Sequence, residues 1–137
     1  VQGAALAVRR EAIDAVGHLD EGFFMYSEEL DWQKRLKSAG WPIVYLPEAE
    51  IVHFGGKSSE QVVAQRHIYF QTSKVRYFRK HHGAFAADLI RGALLANYAV
   101  QVVVEGFKAL LGHKRPMRLE RVQAYRQVLR SGLRSDR

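Results

Sequence analysis

Apolar residues in this chain fall into short unbroken runs at the front and long helical stretches at the back. "GAALAV" (3–8), "WPIVYLP" (41–47) and "AEIVHF" (49–54) are short, apolar and bounded by Gly or Pro, a pattern that predicts buried strands. Between the first two lie helical patterns. "RREAIDAVG" places Ala12, Ile13 and Val16 on one face and stops at Gly17. "HLDEGFF" is a loop that returns apolar side chains to the core. A second helix then starts with Ser27 as its cap, carries Glu28 and Glu29 in its first turn and ends at Gly40. Asp31 and Arg35 on it are spaced for an i,i+4 ion pair.

The back of the chain is different. Ser58 and Gln61 are spaced as a capping box. A long helix is expected from there to about His82, with Val62, Tyr69, Phe70 and Tyr77 on its apolar face. Residues 84–112 form a second long helix, with no charge in the 13 residues from Gly92 to Val104. Pro116 breaks the chain. Residues 118–134 form a third helix, with Leu119, Val122, Leu129 and Leu133 on one side and arginines around the rest. The expected organisation is therefore an α/β part over 1–57 and a helical region over 58–137, mostly helical as a whole.

Composition adds two constraints. Among 137 residues there is no cysteine, which excludes a disulfide framework and a thiolate zinc site. The net charge of +7 is unevenly spread. Residues 1–56 carry five Lys/Arg against nine Asp/Glu, residues 57–82 six against one, residues 83–113 two against two and residues 114–137 eight against two. An acidic front is joined to a basic back suited to phosphates, anionic lipid or nucleic acid. The chain opens at Val1 directly in an apolar run, as a piece of a longer protein would.

The acids at 28, 29 and 31 stand out against this basic background. Carboxylates at a helix start are ordinary capping and dipole chemistry. Two adjacent carboxylates also repel, which makes one of them a tunable proton acceptor. The residues around them carry a resemblance. Gly17, Asp20, Glu21, Phe23, Phe24, Glu28-Glu29-Leu30-Asp31, Gly40-Trp41, Pro47-Glu48-Ala49 and His53 occur in an ordered series after a small-residue run and Arg9-Arg10. This series, over about residues 3 to 60, resembles the C-terminal half of the catalytic domain of inverting GT-A glycosyltransferases of family two, of the rhamnosyltransferase and galactofuranosyltransferase kind.

That resemblance implies a fold, a reaction and roles. The fold is the C-terminal part of a nucleotide-diphospho-sugar transferase domain. The reaction moves a sugar from a nucleotide-diphospho-sugar to a saccharide or lipid-linked acceptor in bacterial cell-wall or polysaccharide synthesis. Glu29 is the general base and Glu28 its supporting acid, although the family usually has Asp where this chain has Glu29. Tyr26, Asp31 and Trp32 stand on the acceptor side, with Asp31 held by Arg35. His53 is a ligand for manganese or magnesium, together with an Asp-x-Asp motif that this chain lacks. Lys57 and Ser58 touch the diphosphate; a plain turn and helix cap is the alternative, since the loop lacks P-loop spacing. With no Asp-x-Asp and no nucleotide-binding region, this chain alone is expected to transfer no sugar.

The basic back mixes aromatics and cations in "SKVRYFRKHHG" (73–83), which fits single-stranded nucleic acid or an amphipathic core helix. The apolar 84–112 stretch reads as a buried core helix or as one lying in a membrane interface beside the arginine-rich helix. The resemblance, to enzymes that commonly act on lipid-linked acceptors at the cytoplasmic face, implies an anionic membrane surface rather than nucleic acid and a cytoplasmic, peripheral location. Exposed apolar surface also leaves self-association open. A non-catalytic module docking to membrane or partner is the alternative to the enzyme.

Overall fold

The computed structural model describes residues 3, 5–53 and 63–134. Four helices follow in order: α1 (Arg10–Val16), α2 (Glu28–Ser38), α3 (Val63–Leu110) and α4 (Arg115–Ser131). α1 buries Ala12 and stops at Gly17, whose φ of 78° is open to a residue without a Cβ. α2 begins at Ser27 as expected, but the Ser27 hydroxyl caps nothing. Its backbone is left-handed, and only its carbonyl takes part, accepting from the Asp31 N–H at 2.9 Å.

The expected strands are not formed among the described residues. The runs at 5–8 and 41–46 have no regular structure. An apolar run becomes a strand only when a neighbour accepts and donates its backbone bonds, and these two do not ladder with each other. Together with Ala12, Trp32 and Leu36 they line an apolar cleft of about 960 Å³. Val44, Tyr45 and Leu46 remain largely in solvent.

The two long helices expected over the back are present, joined without a loop. α3 is helical on both sides of Gly83, whose φ of 86° and ψ of 171° break the helix. The break is a sharp reversal. The Tyr98 hydroxyl lies 3.0 Å from His67 Nδ1, although 31 positions separate them; a straight helix would hold them about 46 Å apart. The limbs 63–82 and 84–110 therefore run back along each other. α4 closes a three-helix arrangement antiparallel to the second limb: Arg118 pairs with Glu105 at 2.6 Å, and Arg91 donates to the Gly132 carbonyl at 2.6 Å.

The core of this arrangement is Tyr98, Val128 and Leu133, with Ile68, Leu94, Leu95, Tyr125 and Leu129 packed against it. Burying Leu133 and Val128 contributes roughly 1.5–3 kcal/mol each. Tyr98 is satisfied inside it, accepting from Gln71 Nε2 at 3.3 Å and donating to His67 Nδ1. Burial pushes the Tyr98 hydroxyl above its ordinary range and His67 below its own, so the imidazole is neutral and able to accept.

Candidate active site

The site is organised by α2, whose two sides do different work. On one side Asp31 is completely buried and saturated with cations. Arg35 Nε lies 2.9 Å from Oδ2; Lys80 Nζ and His81 Nε2 each lie 2.8 Å from Oδ1. Burial alone pushes the Asp31 carboxyl up, but the bonds from Lys80, Arg35 and His81 outweigh it and hold it below the usual range. Arg35 also donates to the carbonyls of Val16 and His18, at 2.6 and 2.7 Å, and Trp32 Nε1 donates to the Gly17 carbonyl at 2.8 Å. These bonds fix α2 against the end of α1. Lys80 reaches further, to Asp20 Oδ2 at 2.7 Å, and that bond leads in holding Asp20 low.

The segment before α2 is clamped by the first limb of α3. Phe23 is buried beneath Arg76 and Lys80, which stand over its ring at 5.3 and 5.8 Å. Phe24 packs on Tyr69 and Tyr26 stands edge-on to Phe70, with centroids 4.8 and 5.5 Å apart. Ser73 Oγ donates to the Met25 carbonyl at 2.6 Å. Tyr26 and Ser27 both have left-handed backbone, at φ of 69° and 67°. For residues with a side chain this costs on the order of 1–3 kcal/mol each, and the clamp sustains it. The strain falls immediately before the acid pair.

Glu28 and Glu29 occupy the first turn, half-buried. Each has one buried carboxylate oxygen, Oε2, with no hydrogen-bond partner, and neither enters an ion pair among the described residues. Glu29 continues the row Trp32, Gln33 and Leu36 that lines the apolar cleft, one turn nearer the helix N-terminus. Gly3 lies against it: a Cβ there would stand 3.3 Å from Glu29 Cγ. Carboxylate oxygens left bare in this way are rare in folded proteins, and the first turn of a helix is where negative charge is tolerated. The arrangement is a held, strain-backed carboxylate able to take a proton.

The structure thus separates the residues singled out in the sequence. Glu28 and Glu29 enter no ion pair among the described residues, and Oε2 of each is without a hydrogen bond. Asp31 is locked into the framework, and the Trp32 N–H is spent on Gly17 while its ring lines the cleft. Tyr26 is half-buried against Phe70. His53 is exposed. Lys57 and Ser58 lie outside the described residues. No three His, Cys, Asp or Glu side chains converge among the described residues. A single imidazole does not make a divalent-cation site, so the residues described do not fit the metal the resemblance implies. Lys80 and His81 escaped the sequence reading. They lie about 50 residues from Asp31, in a stretch where cations and aromatics suggested only a basic surface.

Residues 1–67 match the family described as "Glycosyltransferase like family 2". The front of the chain is thus similar to the family-two glycosyltransferases, in line with the resemblance of its motifs. The chain is also similar to N-acetylglucosaminyl-diphospho-decaprenol L-rhamnosyltransferase of Mycobacterium tuberculosis, from strains CDC 1551 / Oshkosh and ATCC 25618 / H37Rv. Each is 36% identical over 101 residues, which is 74% of this chain and 33% of the relative. The chain therefore spans about a third of the length of the curated relatives it matches. No solved structure matches it.

Proposed function

We propose that this chain is the acceptor-side part of an inverting glycosyltransferase, and that Glu29 is its general base. The carrying observation is the contrast within one helical turn: Asp31 is held by Arg35, Lys80 and His81, while Glu29 keeps a buried oxygen with no partner. A carboxylate built only to hold the fold would be paired like Asp31.

In the proposed step Glu29 takes the proton from an acceptor hydroxyl. The hydroxyl oxygen bonds to the anomeric carbon of the donor as the bond from that carbon to the diphosphate breaks on the opposite face. The products are the lengthened saccharide, a protonated Glu29 and a nucleoside diphosphate. Glu28, whose buried Oε2 is also without a partner, is the supporting acid of Glu29. The Trp32 ring and the apolar cleft flank the acceptor. The donor is a nucleotide-diphospho-sugar. The relatives' name includes a diphospho-decaprenol, and an acceptor saccharide on such a lipid, used at the cytoplasmic face of the membrane, fits an apolar cleft beside the base.

The test is Glu29→Gln in the full-length enzyme. It should lower kcat by roughly 10²–10⁴-fold, the usual worth of a positioned base, and leave donor affinity unchanged. Undiminished turnover would remove Glu29 from the mechanism.

A further inference from the structure

The second limb of α3 has two unlike faces. Tyr98, Glu105 and Ala109 are buried, and with Leu94 and Leu95 they face α4 and the first limb. Leu89 and Phe107 each lie nine positions from Tyr98, half a turn round at about 100° per residue. They belong to an opposite stripe of Phe85, Leu89, Val100, Val103, Phe107 and Leu110. This stripe is bare: Phe85 is 84% exposed, Phe107 62% and Leu110 85%. It runs the length of the limb, about 40 Å. A contiguous apolar strip of that size on a folded chain marks a docking face.

We propose that this stripe lies in the interface of an anionic membrane, parallel to its plane. Charge identifies the occupant. At the Leu110 end of the stripe stand Lys108, Lys114 and Arg115, all exposed, and residues 106–119 contain no acid. Cations beside an apolar stripe match anionic headgroups over acyl chains. A second copy of the chain offers no such match. Parallel pairing sets the same cations against each other. Antiparallel pairing offers them Asp88, which already holds Arg79 at 3.1 Å.

Lying in the interface also fits better than crossing. By length and composition α3 is apolar enough to span a membrane, and 11% of its qualifying 18-residue window is buried in the chain. But α4 is bound along the same limb, from Arg118 on Glu105 to Gly132 on Arg91, and carries Arg121, Arg126 and Arg130 between. A helix with arginines at every turn cannot accompany its partner through hydrocarbon without a cost of several kcal/mol per charge.

The docking rests on the stripe and its cations alone, so it stands or fails independently of Glu29. The test is co-sedimentation of the full chain with phosphatidylcholine vesicles, with and without phosphatidylglycerol. Binding should require phosphatidylglycerol. Val103→Glu with Phe107→Glu should weaken it by about tenfold or more. Each of Lys108→Gln, Lys114→Gln and Arg115→Gln should weaken it on the order of fivefold. Should the glutamate variant lose helicity, a second readout replaces it. The chain has no cysteine, so an environment-sensitive dye on Phe107→Cys should shift to the blue on anionic vesicles, and one on Asp14→Cys should not. Vesicle binding indifferent to the stripe overturns the proposal. So does a stable dimer dissolved by Val103→Glu with Phe107→Glu, or binding to single-stranded oligonucleotides in preference to vesicles.

Discussion

His81 Nε2 lies 2.8 Å from Asp31 Oδ1, joining α2 to the first limb of α3 across fifty positions of chain. Lys80 makes the same connection, at 2.8 Å to the same oxygen. These bonds tie the acid-bearing helix to the basic back.

Asp31→Asn should therefore destabilise the chain by roughly 3 kcal/mol, the lower end for a buried pair because Arg35 and Lys80 are partly in water. Asp31 and Asp20 both have carboxyls held below their ordinary 3.8. A depressed folded-state value stabilises fully above the unfolded value and is lost as pH falls through the folded one. The native chain should keep this stability down to about pH 4 and lose it below. Acid titration followed by circular dichroism should show that loss shrinking in Asp31→Asn.

Gly3→Ala tests the position of Glu29 without altering its chemistry. The added Cβ would stand 3.3 Å from Glu29 Cγ, so the carboxylate must shift by a few tenths of an ångström. In the full-length enzyme kcat should fall by about tenfold, since small misplacements of a reacting group are costly. The melting temperature should stay within about 2 °C, because Gly3 is exposed.

Ser73→Ala should loosen the clamp before α2. It leaves the Met25 carbonyl without its 2.6 Å donor, at a cost of about 1–3 kcal/mol. Because the strained Tyr26 and Ser27 lie next in the chain, hydrogen exchange at the start of α2 should rise more than at α4.

The three-helix core should weaken on mild acidification. Burial holds His67 below its ordinary 6.5. Between that value and the lower folded one, the unfolded chain binds more protons than the folded chain, so stability declines as pH drops through this window. Urea midpoints measured from pH 7.5 to 5.5 should fall for the native chain and fall less for His67→Phe. Separately, Tyr98→Phe should cost about 1 kcal/mol through its lost hydrogen bonds.

The helices were legible because their signals are local. Gly17 after an apolar face, Gly40 after α2 and Gly83 between two long patterns mark ends that the structure also shows. The expected strands were not formed because a strand is a property of two segments. The apolar runs at 5–8 and 41–46 have the residue types but no ladder between them. Ser27 illustrates a subtler gap: the right residue for a cap takes a left-handed backbone that turns its hydroxyl away from the task. The acid pair was visible by its motif. What separates Glu29 from Asp31 is which side chains fold back onto Asp31, and Lys80 and His81 carry no local mark of that.

The reversal at Gly83 also sets a rotational register. Ser73, Lys80 and His81 share the first limb: Ser73 grips the Met25 carbonyl, and Lys80 and His81 both grip Asp31 Oδ1. Inserting one residue between Ser73 and Lys80 would swing Lys80 and His81 about 100° around the limb, leaving Met25 held and Asp31 with Arg35 alone in the interior. The spacing of that limb, more than the identity of its outward residues, decides which side chains reach Asp31.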